Sequence, residues 1–329
     1  MKTQLRKFTM IIMLAAIFSC NSFAQDGRTP TLTKTFEMNE PGTLHTRSSG
    51  GGIDVYTNDQ HKVVVQLFVR KYGKLLDSSD PDLKEILDDF DMDIAKDGSV
   101  ITAIIERRSH FNFMNNTGIS LAISVPREMS CNVSSSGGGV EISGVEGTHK
   151  FSSSGGGVRL ENVSGYTEAK SSGGGVKVAN QKGELHVSSS GGGVTVIEAR
   201  GKVFAHSSGG GVKLHDIFGD AEAGSSGGGV TVTGEAGYVK AKSSGGSVHV
   251  DISNLSKGLD LQSSGGGVDA TIHNGDELGL DLDLHAGRVN VNLRNFTGSA
   301  EKDRVKGSMN GGGIPVYMHA SGGNVNLRF

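Results

Sequence analysis

The hydrophobic pattern of this chain consists of short alternating runs that return at a fixed interval. In one such run, apolar Val194 and Val196 flank polar Thr195, which is the period-two alternation of a β-strand. A second alternating run follows a turn and carries Val203 and Ala205. Each repeat therefore predicts two short strands and two turns, and it is too short for a helix.

The string Ser-Ser-Gly-Gly-Gly-Val marks the repeats, and its first glycines recur at one constant interval until a slightly longer final step. These glycines are Gly137, Gly155, Gly173, Gly191, Gly209, Gly227, Gly245 and Gly265. So regular a period indicates units that bury their apolar faces by stacking on their neighbours. We therefore predict an all-β fold, a parallel β-solenoid (β-helix) with 18-residue, two-strand coils.

The serines and glycines of the repeat are interpreted as structural. We expect the glycines to permit sharp turns through positive φ, and serines such as Ser171 and Ser189 to hydrogen-bond each other and the corner amides. A phosphate-binding glycine loop is excluded, because such a loop requires a helix directly after it and none is predicted.

Charged and aromatic residues occupy the outward positions of the predicted strands. One outward column reads Lys150, Glu168, His186, Phe204, Glu222 and Lys240. Alternating signs on adjacent strands favour cross-strand pairs that fix the register. A solvated face that sets the register is the simplest interpretation of this column.

The two ends of the chain depart from the regular period. Residues 25–130 predict an N-terminal β-rich cap with one short helix, for which Asp80 is the expected N-cap and Pro81 lies in the first turn. Residues 131–272 form the regular solenoid, and residues 273–329 form degenerate C-terminal coils and a cap. We expect these end regions to cover the solenoid, since an exposed end is a template for aggregation.

Residues 1–24 have the pattern of a secretory signal peptide. Basic residues precede an apolar run, and small residues on either side of Phe23 offer cleavage after Ala24. Cys20 leaves a lipid anchor open as an alternative. The mature chain would contain no transmembrane span, and we expect it to be exported to the periplasm, the outer membrane or the cell surface.

The charge balance gives no support for a nucleic-acid partner. The chain has 32 Lys+Arg and 35 Asp+Glu, and residues 1–24 remove three basic and no acidic residues. The mature chain then carries 29 basic and 35 acidic residues, a net charge of −6. Only Cys131 remains after cleavage, so no internal disulfide is expected, and its alternating context indicates a small core residue.

The sequence contains no recognisable catalytic, cofactor or metal motif. Candidate carboxylates are scattered, and the repeat lacks the aspartates with which calcium-binding β-rolls hold their ions. The interaction candidates are an aromatic segment between strands and the aromatic or histidine residues of the outward columns. They are Phe111, Phe113, Met114, His186, Phe204 and His206.

The predicted signal peptide, the run from Ile119 to Pro126 and the repeated Ser-Ser-Gly-Gly-Gly-Val units resemble the bacterial putative-adhesin family of unknown function 4097. The chain is also similar to autotransporter-adhesin head domains. This resemblance implies an exported parallel β-solenoid and carries over no catalytic residues. The resulting hypothesis is a non-enzymatic envelope or surface protein, an adhesin or interaction scaffold whose protein or glycan partner is unknown. The alternative is a carbohydrate-active β-helix enzyme or a glycan-binding module.

Overall fold

The computed structural model describes residues 29–108 and 117–329. Within these ranges the helical elements are a six-residue α-helix, Leu83–Asp88, and a 3-10 turn, Gly275–Glu277. Almost all other regular structure is β-strand, so the predicted all-β class is confirmed. The predicted signal peptide and Cys20 lie outside the described residues.

The described residues form 30 strands. In chain order they are β1 (Leu32–Glu37), β2 (Gly42–Ser48), β3 (Ile53–Asn58), β4 (Lys62–Lys71), β5 (Lys74–Leu75), β6 (Phe90–Asp97), β7 (Val100–Arg107), β8 (Thr117–Pro126), β9 (Met129–Ser135), β10 (Val140–Ser143), β11 (Glu146–Ser153), β12 (Val158–Glu161), β13 (Ser164–Ser171), β14 (Val176–Lys182), β15 (Leu185–Ser189), β16 (Val194–Arg200), β17 (Val203–Ser207), β18 (Val212–Phe218), β19 (Ala221–Ser225), β20 (Val230–Glu235), β21 (Tyr238–Ser243), β22 (Val248–Ser253), β23 (Gly258–Ser263), β24 (Val268–Ile272), β25 (Leu280–His285), β26 (Val289–Val291), β27 (Phe296–Ala300), β28 (Arg304–Met309), β29 (Ile314–Ala320) and β30 (Val325–Arg328).

The strands pair in two ladders. The first ladder runs β1, β4, β8, β3, β10, then the even-numbered strands to β24, then β30 and β26, with β5 paired to β4. The second ladder runs β6, β7, β2, β9, then the odd-numbered strands from β11 to β23, then β29, β25, β28 and β27. A single pairing of Ser164 with Lys182 joins the ladders into one open sheet.

Parallel pairing in register follows the period of the sequence. Val158 lies opposite Val140 on one side and Val176 on the other, and each partner is one full repeat away in the chain. The same offset relates the strands of the second ladder from β9 to β21. Identical positions of successive repeats therefore form straight columns across each ladder.

The core lies between the inward columns of the two ladders. The first ladder contributes valines and other aliphatic residues, and the second contributes smaller ones, as the alternation predicts. Representative residues with no more than 5% exposure are Val194, Val196, Val212, Leu214, Val203, Ala205, Ala221 and Ala223. Cys131 also belongs to this interior and is 1% exposed, and burial raises the pKa of its thiol to about 12. The interpretation of Cys131 as a core residue is confirmed.

A buried serine closes the corner between the two ladders in each repeat. Ser189 Oγ donates to the carbonyl oxygen of Gly174 at 2.8 Å, and the amide of Gly192 donates to Ser189 Oγ at 3.1 Å. The pairing of serines with corner amides is therefore confirmed. The expected serine-to-serine bonds are not formed here, because each hydroxyl proton goes to a glycine carbonyl of the preceding repeat.

Close approach of successive repeats is the reason for the glycine triplets. A Cβ on Gly191 would lie 2.4 Å from the carbonyl oxygen of Gly173, although Gly191 is not among the residues with positive φ. The prediction of positive φ at the triplets is therefore wrong for the regular repeats, whereas Gly311, Gly312 and Gly313 near the C-terminal end do have positive φ. Left-handed conformations occur instead at the opposite side of the repeat, where Glu198 has φ of 58° and Gly201 has φ of 128°. The predicted turn there is a bend within β16, and Ala199 beyond the bend points into the core.

At both ends the order of the strands in the ladders differs from their order in the chain. The early strands β2 and β3 lie between β7–β8 and β9–β10. The last strands, β29 and β30, lie between β23–β24 and β25–β26. The isolated repeat signatures near Ser48 and Ser321 thus belong to repeats that are inserted into the stack.

Antiparallel strands complete the ends of the stack. Strand β6 pairs with β7, β1 and β8 flank β4, and β27 and β25 flank β28. The short helix begins at Leu83 with Asp82 as its N-cap residue, two residues after the predicted cap at Asp80. Asp80 instead accepts a hydrogen bond from the amide of Asp82 in the preceding turn. The division of the chain at residues 24, 130 and 272 stays a prediction.

Candidate functional site

A groove of about 780 Å³ lies along the outward face of the second ladder. It crosses six consecutive strands, β13, β15, β17, β19, β21 and β23, and it follows the direction in which the repeats stack. We refer to this surface as the axial groove. At the usual spacing between strands, its six strands span about 24 Å.

Three rings form the aromatic part of the axial groove. Register places His186 beside Phe204, and their rings stack with centroids 4.4 Å apart and an interplanar angle of 16°. The ring of Tyr166 lies 5.4 Å from that of His186 at a tilt of 40°, and Tyr166 is 42% exposed. A chain with few aromatic residues thus places three rings together on one face.

Ion pairs surround the rings. Glu168 is bound by Lys170, and Lys240 Nζ lies 3.3 Å from Glu222 Oε2. The hydrogen bond from Lys170 lowers the pKa of the Glu168 carboxyl, and the bond to Glu222 raises the pKa of Lys240. The hydrogen bond from Lys170 therefore favours the charged form of the Glu168 carboxyl, and Glu222 favours the charged form of Lys240.

A small residue creates a recess in the middle of the groove. Gly224 occupies the position next to His206 in one outward column, where the neighbouring strand carries Lys242. A Cβ on Gly224 would lie 3.0 Å from His206 Nδ1, so the imidazole occupies the space that a side chain would take. The recess is therefore taken up by the His206 imidazole, which lines the groove together with Gly224.

Neutral polar groups line the rest of the groove. Ser188, Ser226, Ser244 and Ser264 contribute to its surface, and Gln262 Nε2 donates to Asp260 at 2.7 Å. Lys242 Nζ lies 3.7 Å from Asp260. The lining therefore combines hydroxyls and an amide with balanced charge.

The structure brings together three of the six residues predicted for interaction. His186, Phe204 and His206 all line the axial groove. Phe111, Phe113 and Met114 lie outside the described residues. The sequence interpretation missed Tyr166 and Lys170. Alignment of successive repeats places these two residues in the outward columns on either side of the column that holds His186.

The carboxylates of the groove do not match the geometry of a glycosidase pair. Glu168 and Glu222 share a column and are three strands apart, which corresponds to about 14 Å between their backbones. Paired glycosidase carboxylates lie about 5 to 10 Å apart. No group of three or more histidine, cysteine or carboxylate side chains within residues 29–108 and 117–329 could hold a metal ion.

A second, smaller groove of about 360 Å³ lies on the first ladder beside the glycine corner. Its charged residues include Glu141 and Arg159, which lie 3.8 Å apart, and Lys177. This groove contains no aromatic side chain among its described residues. It therefore lacks the combination of rings and polar groups that distinguishes the axial groove.

No family model matches this chain, and no curated protein matches it. Membership of the family suggested by the sequence therefore stays a prediction. The described part of the chain contains no helix that is long and apolar enough to cross a membrane.

Solved structures with a similar chain trace include a putative cell adhesion protein from Clostridium sporogenes, with 14% identity, a TM-score of 0.22, and coverage of 91% of this chain and 99% of that chain. A putative adhesin from Bacteroides fragilis has 14% identity, a TM-score of 0.37, and coverage of 90% and 96%. A putative lipid binding protein from Parabacteroides distasonis has 12% identity, a TM-score of 0.36, and coverage of 90% and 96%. At these values the likeness assigns no ligand to this chain.

Proposed function

We propose that this chain is an exported, non-enzymatic binding protein of the cell envelope, a rigid β-solenoid that binds a partner macromolecule along its axial groove. The observation that carries the proposal is the grouping of Tyr166, His186 and Phe204 on one open face. Exposed aromatic rings surrounded by polar groups are typical of binding surfaces.

The pairing of strands supports the solenoid. Between β10 and β22, neighbouring strands of the first ladder pair in parallel one repeat apart, with one register shift between Leu214 and Ile217. A stack of this kind holds its outward side chains in fixed columns. Such a surface needs little reordering when an extended partner binds.

The state of the carboxylates supports binding without catalysis. A general acid requires a pKa that is raised towards neutrality. The pKa of Glu168 is lowered because Lys170 donates a hydrogen bond to it, and Glu222 is paired with Lys240. Both carboxylates are therefore better suited to hold neighbouring polar groups in place than to transfer protons.

The test compares two apolar truncations on different faces. Phe204→Ala removes a ring of the axial groove, and Ile197→Ala removes a side chain that is 47% exposed on the first ladder. Binding of each purified mature variant to envelope fractions of the source bacterium would be measured by sedimentation. We expect Phe204→Ala to weaken binding about tenfold or more and Ile197→Ala to leave it unchanged. Equal binding by both variants and the unaltered chain would contradict the proposal.

A further inference from the structure

We propose that the axial groove binds a neutral, linear, β-1,4-linked polysaccharide that lies along the stacking direction with about one sugar ring per strand. The inference rests on the proposed function, because it names the chemistry of the partner for the same groove. Three properties of the groove carry it: the spacing of its side chains, its charge balance and the kinds of groups that line it.

The spacing of the outward columns favours a glycan over an extended peptide. Parallel strands place equivalent side chains about 4.8 Å apart along the groove. Side chains on one face of an extended peptide recur about every 6.7 Å, so they lose register with the columns within a few strands. A β-1,4-linked chain of pyranose rings advances by close to one strand spacing per ring. Such a chain can therefore place one ring opposite each of the six strands.

The charge balance favours a neutral polymer. The three lysines that line the axial groove each have a carboxylate partner: Lys170 with Glu168, Lys240 with Glu222, and Lys242 with Asp260. An anionic polymer would have to displace these carboxylates to reach the cations. A neutral polymer can instead accept and donate hydrogen bonds at ion pairs that remain intact.

The lining groups match the two kinds of surface that a sugar ring presents. The exposed ring of Tyr166 and the half-buried ring of Phe204 offer apolar area to the C–H faces of pyranoses. The hydroxyls of Ser188 and Ser226 and the amide of Gln262 offer partners to the ring hydroxyls. The imidazole of His206, which covers Gly224, adds ring nitrogens that can bond to a sugar hydroxyl.

The experiment measures binding of defined oligosaccharides to the mature chain by isothermal titration calorimetry. The neutral probes are β-1,4-linked hexasaccharides of glucose, mannose and xylose, and each series is also tested at three and four rings. A hexamer of galacturonic acid and an uncharged extended peptide are the comparisons. We expect at least one neutral hexasaccharide to bind, to bind more tightly than its trimer, and to compete with envelope fractions for the chain.

Two variants locate the binding. Gly224→Leu puts a side chain where the His206 imidazole lies, and we expect it to weaken hexasaccharide binding about tenfold, whereas Ile197→Ala should leave it unchanged. Gly224→Leu alters only an outward position, and an unchanged thermal midpoint would show that its fold is intact. If the midpoint falls, Phe204→Ala replaces it as the groove variant.

Three results would overturn the inference: no saturable binding of any neutral hexasaccharide, equal affinity for trimer and hexamer, or preference for the galacturonic acid hexamer or the peptide. Loss of envelope binding in Phe204→Ala together with any of these results would leave the proposed function standing and remove only the glycan. Envelope binding that no groove variant changes would instead remove the proposed function itself.

Discussion

The serine–glycine corner and the axial groove belong to the same repeats, but they differ in how their residue types change along the stack. The corner keeps the same residues in successive repeats, and the groove does not. At the corner, Ser189 and Gly191 have the same counterparts in repeat after repeat, because backbones approach there too closely for any other side chain. In the groove, the column through His186, Phe204 and Glu222 changes residue type at every strand. Packing therefore fixes the residue types of the corner, whereas the outward positions are free to differ from strand to strand and line the axial groove.

The largest expected loss of stability follows from a substitution at a corner glycine, Gly191. Gly191→Ala would place a Cβ 2.4 Å from the carbonyl oxygen of Gly173, and the backbone of one repeat would have to move. We expect the free energy of unfolding to fall by about 3 kcal/mol or more, as measured by chemical denaturation.

The matched control for this change is Gly50→Ala, at the first glycine of the triplet near the end of the stack. No described atom lies within 4 Å of the Cβ that this substitution would add. We expect a change below about 1 kcal/mol. A similar loss in both variants would show that close approach between repeats is not the reason for glycine.

The next effect is a loss of stability at low pH that is caused by the buried histidine His149. His149 is 1% exposed, and desolvation lowers its pKa from 6.5 to about 4 although its ring lies in hydrogen-bond contact with the carbonyl of Ser164. Because the unfolded chain binds this proton more readily, stability is complete above pH 6.5 and falls as the pH drops towards 4. Between pH 7 and pH 5 we expect a loss of about 2 kcal/mol in the free energy of unfolding.

His149→Gln serves as the control for this dependence, since glutamine retains a hydrogen-bond donor but does not titrate. The difference between the two chains isolates the contribution of His149 to the pH dependence. If the variant showed the same loss between pH 7 and pH 5, His149 would not be the origin of the pH dependence.

A smaller effect is expected from the corner hydroxyl. Ser189→Ala removes the bond to the carbonyl of Gly174 and the bond that Ser189 Oγ accepts from the amide of Gly192, which keeps only its longer contact of 3.3 Å with the carbonyl of Gly174. We expect a loss of about 2 kcal/mol in the free energy of unfolding. The exposed neighbour Ser190 provides the control, and Ser190→Ala should have an effect close to zero. Equal losses at the two serines would contradict the account of the corner.

The smallest effect is expected at the bend of β16, where the substitution should increase stability, unlike the changes described above. Glu198 has φ of 58°, a left-handed conformation that asparagine adopts more readily than glutamate. Asn162 and Asn180 occupy the same position in earlier repeats, and Asn180 Nδ2 donates to Asn162 Oδ1 at 3.0 Å. We expect Glu198→Asn to raise the thermal midpoint through a gain of below about 1 kcal/mol. A lower midpoint would show that Glu198 stabilises the bend through its carboxylate.

The constant period of the sequence was sufficient to predict the neighbours within the regular repeats. It places His186 beside Phe204 and Glu222 beside Lys240, and these pairs are found in contact. It could not predict the strand order at the ends, because a signature near Ser48 or Ser321 does not show between which repeats it is inserted. That choice depends on pairing between segments that are distant in the chain.

The depth of the axial groove was also beyond sequence reasoning. The outward column that holds His206 has glycine at Gly224, and only the positions of atoms show that the imidazole of His206 takes the space beside it. The sequence predicted a turn near Glu198 but not the left-handed backbone conformation of this residue. Glutamate is not a residue that usually signals this conformation, whereas Asn180 one repeat earlier is.

The central claim is that the second ladder, and not the first, is the binding face. It is tested most directly by photo-crosslinking from a reactive residue placed at His206 or at Lys213, which are exposed outward positions on the two ladders in adjoining strands of the chain. Each labelled chain would be irradiated with native envelope fractions, and adducts would be separated by size. The account predicts adducts from position 206 that excess unlabelled chain suppresses, and none from position 213. Adducts from position 213 alone, or equally from both positions, would contradict it.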